Sequence, residues 1–357
     1  MPFKVSVIMP IYNVEPYLRE CLDSVLSQDL NDIEIICIND GSSDGCKDIL
    51  ESYAKKHSAI SVVHKQNEGV AKARNEALAM ALGEFVCFID PDDFYPNKHT
   101  LSLLYNAAKK HNALICGGSF SYYANGEIIT DFKEESLQGY IFKINGFMQY
   151  KDYQFDFGFH RFIYKRTFLL ENHIFYPLYT RYEDPVFFVK AMIKAGQFYA
   201  LSEVTYRYRI GHRSITSWSD STWNDQNKGL EDVLLLSKKY KLWGLYHLTY
   251  HRANETAKAL GAMICAGRAN VGSLFALGVI LEKYHQAGEE NTIALQCQII
   301  TDRIKNLHNV LAPLAYLKFI SAHYKSVFKT YFRIRLFKPY SVIRLFGITL
   351  YENAGGG

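Results

Sequence analysis

Three carboxylates fall within the four residues Asp90-Pro91-Asp92-Asp93. Carboxylates so close repel one another unless a cation joins them, and oxygen ligands suit a hard divalent ion. The natural candidate is Mg²⁺ or Mn²⁺ holding a diphosphate. In an extended segment Asp90 and Asp92 project to the same side and converge on one ligand, with Pro91 stiffening the link. An isolated acidic tetrapeptide is equally a solvated loop. A fourth carboxylate, Asp40, opens Asp40-Gly41-Ser42-Ser43-Asp44, where it can accept hydrogen bonds from a base N–H or a ribose hydroxyl. The plainer reading there is an Asp-Gly turn, with Ser42 or Ser43 capping the helix that follows. In Gln66-Asn67-Glu68-Gly69-Val70-Ala71-Lys72-Ala73-Arg74-Asn75, Gly69 permits close backbone approach. Lys72 and Arg74 there can meet phosphate or base, or simply form a solvated basic helix start. Glu183-Asp184-Pro185 adds an acidic pair, although Asp at an N-cap with Pro at the first helical position is ordinary helix-start chemistry.

These residues need a frame that brings them together, and the first 118 residues supply the pattern of one. Apolar runs at Val5–Met9, Ile33–Ile38, Ile60–His64, Glu84–Ile89 and Leu114–Cys116 alternate with helical patterns. Those patterns cover Glu15–Ser27, Ser43–Lys55, Val70–Ala81 and Leu101–Lys110. Apolar strands separated by such helices predict a parallel sheet covered on both faces, with ligands beyond the carboxyl ends of its strands. The chemically informative residues follow the strands as that rule requires. Residues 119–222 are mixed and aromatic, with a strand candidate at Val204–Arg209; residues 223–311 read as helical.

Composition narrows the class. The chain has 357 residues, 48% hydrophobic and 21% charged, which excludes wholesale disorder and fits one α/β domain with a satellite. Seven cysteines (21, 37, 46, 87, 116, 265 and 297) are scattered without CxxC spacing. They read as reduced thiols of a cytosolic protein rather than a disulfide frame or a zinc site. The N-terminus runs straight into a strand pattern and shows no secretory signal. Ala257–Leu281 carries Lys258, Arg268 and Asn270 and so fails as a membrane span.

Taken in order, the segments Val5–Asn13, Tyr17–Gln28, Asn39–Asp44, Ala73-Arg74-Asn75 and Asp90–Asp93 resemble the family 2 glycosyltransferases of the GT-A fold. The resemblance is close over residues 4–120 and looser over 158–217. It implies a Rossmann-like, mostly parallel sheet flanked by helices with a C-terminal helical extension, and inverting transfer from a UDP-sugar. Pro10, Tyr12, Glu15 and Asp40 would line the uracil and ribose pocket, with Gly69 and Arg74 beside it. Asp90 would hold ribose or metal, and Asp92 the metal. Asn39 departs from the family, where an acidic residue is common; this matters little if Asp40 carries the contact. The family places an acidic pair at Glu183-Asp184, so Asp184 is the expected base, with Glu183 supporting it or binding acceptor hydroxyls. A helix N-terminus there would favour the ionised carboxylate and weaken it as a base. Tyr206–Thr216 looks like the family's segment that closes over the diphosphate, His212 completing the metal shell and Arg213 neutralising the leaving group. Phe155–Phe162 is either an aromatic acceptor wall or packing beneath the following helix, and His160, His247 and His251 are structural or acceptor-side. A sugar-nucleotide pyrophosphorylase would want a Gly-rich phosphate loop where Pro10–Val14 stands. A non-catalytic sugar-nucleotide or glycan-binding module would tolerate loss of acids that are all present here.

The predicted organisation is a GT-A domain over 1–222 (nucleotide half 1–118, acceptor half 119–222), a helical region over 223–311 and a tail over 312–357. The net charge of +4 is uneven: Pro313–Tyr351 holds seven basic residues and no acidic one, against 33 basic and 36 acidic elsewhere. Lys325, Lys329 and Arg333 recur at helical spacing opposite Leu317, Ile320, Tyr324, Val327 and Tyr331. The pattern predicts a basic amphipathic helix that lies on an anionic membrane or packs on the body. The expected partners are a nucleotide-sugar, a saccharide or lipid-linked saccharide acceptor, and the inner face of the cell membrane, not nucleic acid. Surface polysaccharide or lipo-oligosaccharide synthesis is the role implied.

Overall fold

The computed structural model describes residues 2–129, 141–211, 219–265, 269, 271–286 and, as backbone, 332–337, 340–345 and 348–353. They form two compact units, Met1–Ser217 with Leu235–Tyr246, and Trp218–Leu234 with His247–Gly357.

The first unit opens with β1 (Phe3–Ile11), α1 (Glu15–Leu26), β2 (Ile33–Asp40), α2 (Cys46–Lys56), β3 (Ile60–Lys65), α3 (Val70–Met80), β4 (Gly83–Phe88) and α4 (Thr100–Lys110). β5 (Ile115–Ala124), β6 (Glu127–Ile129), β7 (Gly146–Gln149) and the short α5 (Tyr150–Tyr153) follow. A 3₁₀ turn (Phe159–Arg161), β8 (Phe162–Lys165), α6 (Arg166–Glu171), α7 (Glu183–Ala195) and β9 (Gln197–Arg209) complete it. One nine-stranded sheet runs β3-β2-β1-β4-β8-β5-β9-β7, with β6 paired to β5. β1 pairs in parallel with β2 and β4, and β2 with β3. β1, β2 and β4 are buried on both faces over most of their length, which is why Val5–Ile11 reads as an apolar run interrupted only at Ser6. Leu18, Cys21, Leu22 and Val25 of α1 are buried at 3- and 4-residue spacing and cover one face.

The sheet is mixed rather than parallel throughout. β8 inserts antiparallel between β4 and β5, and β7 is antiparallel to β9. β5 also runs on to Ala124, well beyond the apolar run that announced it, because Ser119 and Ser121 are buried polar positions that hydropathy passes over. Chain order reverses at β1, whose neighbours are β2 and β4, so the ligand crevice is expected beyond the ends of β1 and β4. α2 starts at Cys46 rather than at the serines; the Cys46 N–H donates to Asp44 Oδ1 at 3.1 Å, so Asp44 takes the capping role.

The second unit contains the N-terminal part of α8 (Asp220–Lys239), most of α9 (Trp243–Cys265) and α10 (Val271–Lys283). Leu230, Val233, Ala257, Leu260, Leu274 and Leu277 are buried there, and Asn227 Nδ2 donates to the Ser273 carbonyl at 3.0 Å. Six described cysteines are free thiols, five of them buried. No helix among the described residues is long and apolar enough to cross a membrane.

The tail corrects the helical expectation where it is described. β10 (Phe332–Phe337), β11 (Tyr340–Leu345) and β12 (Ile348–Asn353) form a separate antiparallel sheet, which puts Arg333 on a strand. The period there is two, Phe332, Ile334 and Leu336 alternating with Arg333 and Arg335, and that outweighs the i, i+4 match carried by Arg333 alone. The rest of the predicted helix, Leu317–Tyr331, lies outside the described residues.

Candidate active site

Pro10 is buried near the end of β1, and Tyr12 just beyond it is 49% exposed. The loop after β1 is stitched to the loop after β2. The Asn13 N–H donates to Ser42 Oγ at 3.1 Å, and the Ser43 N–H to Asn13 Oδ1 at 2.8 Å. The Glu15 N–H donates to Asp44 Oδ2 at 3.0 Å and the Gly45 N–H to Glu15 Oε2 at 2.7 Å. Glu15 therefore holds the entry of α2, while Tyr12 stands open beside it.

Asp40 is buried, and both its oxygens are engaged: Oδ1 accepts from the Glu68 N–H at 2.9 Å and Oδ2 from the Gly69 N–H at 2.8 Å. It fixes the loop leading into α3. Gly41 (φ +78°) is obligatory there, since an added Cβ would lie 2.8 Å from the Asn67 nitrogen. Gly69 (φ +94°) has open space where a side chain would stand. Asn39 is structural: its amide pairs with His64 Nδ1 at 3.0 Å and accepts from the Ser42 N–H at 3.1 Å. Lys72 pairs with Glu68 on the surface.

Arg74 lies on the buried face of α3, only 4% exposed. One terminal nitrogen donates to Asp90 Oδ1 at 2.8 Å and the other to Glu183 Oε1 at 2.9 Å. Its guanidinium lies over the rings of Phe159 (4.8 Å) and Tyr176 (5.0 Å). Burial opposes its charge, yet Asp90, Tyr176, Glu183 and Asp184 together hold its pKa above the usual arginine value. Asn75 completes the bracket, donating to the Tyr176 carbonyl at 2.8 Å and accepting from the Tyr176 N–H at 2.9 Å. Arg74, expected beside the nucleotide, lies between the tip of β4 and the start of α7.

Asp90–Asp93 is a turn, not the extended segment expected, because the Asp93 N–H donates to the Asp90 carbonyl at 2.9 Å. Asp93 is buried; Tyr206 Oη donates to its Oδ2 at 2.8 Å and the Arg209 N–H to its Oδ1 at 2.7 Å. Burial, then the charges of Asp92 and Asp90, push its carboxyl well above the usual range. Arg209 Nε donates to the Asp92 carbonyl at 2.8 Å, and the Asp90 N–H donates to Tyr206 Oη at 3.1 Å. Thus β9 clamps the turn from the far side of the sheet order. Asp92 remains half-buried at its apex.

Asp184 is not an N-cap. Tyr182, at φ +64°, caps α7, so Asp184 is its second residue, with Pro185 third. Glu183 is buried against Arg74, and half-buried Asp184 lies beside it. Burial first, then the charges of Glu183 and Asp90, raise the Asp184 carboxyl well above the usual aspartate range, against the opposing pull of Arg74. The weakening expected from the helix N-terminus is outweighed.

Of the aromatic run, Phe159, His160, Arg161 and Phe162 are buried, so most of it is packing; Phe155 and Phe157 are partly open. Burial pushes the His160 pKa down to about 3, Asp90 pulling the other way, and its Nε2 has no partner among the described residues. His212 and Arg213 lie outside the described residues. The sequence placed Asp93 in the acidic run and Tyr206, Tyr208 and Arg209 in the segment Tyr206–Thr216, but gave none of the four a role of its own. The signal was the alternation Tyr206-Arg207-Tyr208-Arg209, which in a strand sends tyrosines to one face and arginines to the other.

A family model described as glycosyl transferase family 2 matches residues 6–170. EpsJ of Bacillus subtilis (strain 168), a glycosyltransferase by name, is 30% identical over 265 residues, 73% of this chain and 74% of its own length. EpsH of the same organism, likewise named a glycosyltransferase, is 30% identical over 59% of this chain, which spans 62% of EpsH. Among solved structures, residues 1–349 of S. aureus TarS in complex with UDP-GlcNAc superpose with a TM-score of 0.63 at 21% identity. That match covers 96% of this chain and 97% of TarS 1–349, and at this identity it speaks to the fold.

Proposed function

The chain belongs to glycosyl transferase family 2, and we propose that it moves a hexose or N-acetylhexosamine from a UDP-sugar to a glycan or lipid-linked saccharide, with inversion. The observation that carries this reading is the double engagement of Arg74. Its guanidinium joins Asp90, at the proposed donor-side turn, to Glu183, the neighbour of the proposed base Asp184, which supports a shared site for donor and base. UDP as the nucleotide follows the TarS complex and is carried over as part of the proposal.

Inversion is a single displacement. Asp184 takes the proton of the acceptor hydroxyl as its oxygen bonds to the anomeric carbon, while the bond to the diphosphate breaks on the opposite face and UDP leaves with its electrons. Tyr12 and the loop held by Asp40 frame the nucleotide, with Pro10 and Glu15 shaping its entry.

A divalent ion is consistent with the donor set. Among the described residues no group of three or more His, Cys, Asp or Glu side chains could hold a metal by itself. Mg²⁺, however, usually binds through one or two carboxylates plus substrate phosphates, and the Asp92 carboxylate suits that role. Asp90 has Oδ1 committed to Arg74, and its other oxygen accepts no hydrogen bond among the described residues. When bound, the ion neutralises charge on the leaving diphosphate. Turnover of a UDP-sugar panel with Mn²⁺ is expected to stop on chelation, and Asp92→Ala to lose about 10²–10³-fold, as loss of a preorganised charge stabiliser does. Turnover indifferent to chelator would remove Asp92 from the diphosphate.

The basic tail is proposed to hold the enzyme on an anionic membrane surface, where each basic residue contributes about 1 kcal/mol. Deleting residues 313–357 should release the chain from phosphatidylserine liposomes in a flotation assay; undiminished binding would refute the role.

A further inference from the structure

On the reading above, the transferred sugar lies between the Asp90–Asp93 turn and Asp184, and β9 bonds that turn through Tyr206 with Tyr208 two residues beyond. Tyr206 and Tyr208, two residues apart on one strand, share a face. Tyr206 is buried and spent on the turn, bonding Asp93 and the Asp90 N–H. Tyr208, one strand period further toward the open end, is half-buried, and its hydroxyl has no hydrogen-bond partner among the described residues. Burial first, then the charges of Asp90, Asp93, Asp92 and Asp184, raise its pKa, so it shares the field of the donor-side turn and of Asp184. The Tyr208 ring stacks on His160 at 5.5 Å between centroids, and Phe157 meets both, at 5.7 Å from His160 and 6.1 Å from Tyr208. His160 is buried beneath as a floor, itself packed on Tyr206 at 4.0 Å, while Phe157 and Tyr208 remain partly open. Partly exposed aromatic faces on a rigid floor, with one unspent O–H at the rim, suit a ring with an apolar face and hydroxyl edges.

We propose that Phe157 and Tyr208 form the platform for the donor's hexosyl ring, Phe157 stacking on it and the Tyr208 hydroxyl bonding one of its hydroxyls, so that this pair sets donor-sugar preference. The proposal rests on the UDP-sugar reading above, and its test separates the two. Calorimetry with the full-length chain and Mn²⁺ compares UDP with UDP-GlcNAc, UDP-glucose and UDP-galactose, and needs no acceptor. Phe157→Leu and Tyr208→Ala are expected to weaken the preferred UDP-sugar by about tenfold while UDP stays within about twofold. Tyr208→Phe keeps the ring and loses one hydrogen bond, so it should fall between wild type and Tyr208→Ala. The ratio of UDP to UDP-sugar affinity is a readout that loosened packing would not move selectively. Equal weakening of UDP and UDP-sugar, or no weakening of either, would overturn the platform. A wild-type chain that binds no member of the panel would instead overturn the UDP-sugar reading, and the platform with it.

Discussion

Asp184→Asn should lower transfer by about 10²–10⁴-fold while leaving UDP-sugar affinity within about twofold, the signature of a lost general base. The amide keeps the size of the side chain and cannot accept the acceptor proton. The pH profile makes the assignment sharper. Burial, Glu183 and Asp90 raise the Asp184 carboxyl above an ordinary aspartate, which strengthens it as a base once ionised. Only the ionised form accepts a proton, so kcat should rise with pH through that raised value and level above it. Glu183→Gln removes one of the charges that raise it, so the acid limb should move to lower pH. In Asp184→Asn the limb should vanish from the residual rate. Near-normal turnover in Asp184→Asn, or an unmoved limb in Glu183→Gln, would take the base role away from Asp184.

How far the sequence foretold this arrangement depends on the physics of each part. The first four strands and their helices were legible because a parallel sheet buried on both faces needs mostly apolar runs, and β1, β2 and β4 have them apart from single polar residues such as Ser6, Glu34 and Glu84. The later strands obey other rules. β8 is four residues long and antiparallel, and β5 continues through buried serines, so apolar content could not announce either. For the site, residue type and place after a strand pointed to Asp40, Asp90 and Asp92, whereas Arg74 came from a helix start and Glu183-Asp184 from the family resemblance. Their division of labour was not legible, because it is set by partners remote in sequence. Arg74 meets Glu183 across 109 residues and Asp93 meets Tyr206 across 113. Nothing local to Arg74 distinguishes an arginine bound to a nucleotide from one buried between two carboxylates. In the tail, Arg333 matched the helical spacing of Lys325 and Lys329 yet stands on β10, where apolar and basic residues alternate from Phe332 to Leu336; Leu317–Tyr331 lies outside the described residues.

Arg74→Met is the substitution that separates those two readings of Arg74. The side chain is 5% exposed, Glu183 is 9% exposed and Asp90 25%. Removing the guanidinium leaves two carboxylates facing Phe159 and Tyr176 with no cation between them, and breaking a buried ion pair in this way costs about 3–5 kcal/mol. For a compact unit of this size, that cost should lower the melting temperature by about 6–20 °C. Arg74→Lys keeps the charge but not the fork that spans two acceptors, so its loss should be smaller while one of the two ends still comes free. Transfer should fall in both variants, because α7 carries Glu183 and Asp184 and is held to the donor-side turn through this guanidinium. A residue that contacts the nucleotide would behave otherwise: Arg74→Met would melt within about 2 °C of wild type and weaken UDP binding instead. The brace predicts the reverse pairing, a large loss of stability with UDP affinity nearly kept, since the loop fixed by Asp40 and the open Tyr12 do not depend on Arg74. Melting and calorimetry on one variant therefore decide between them.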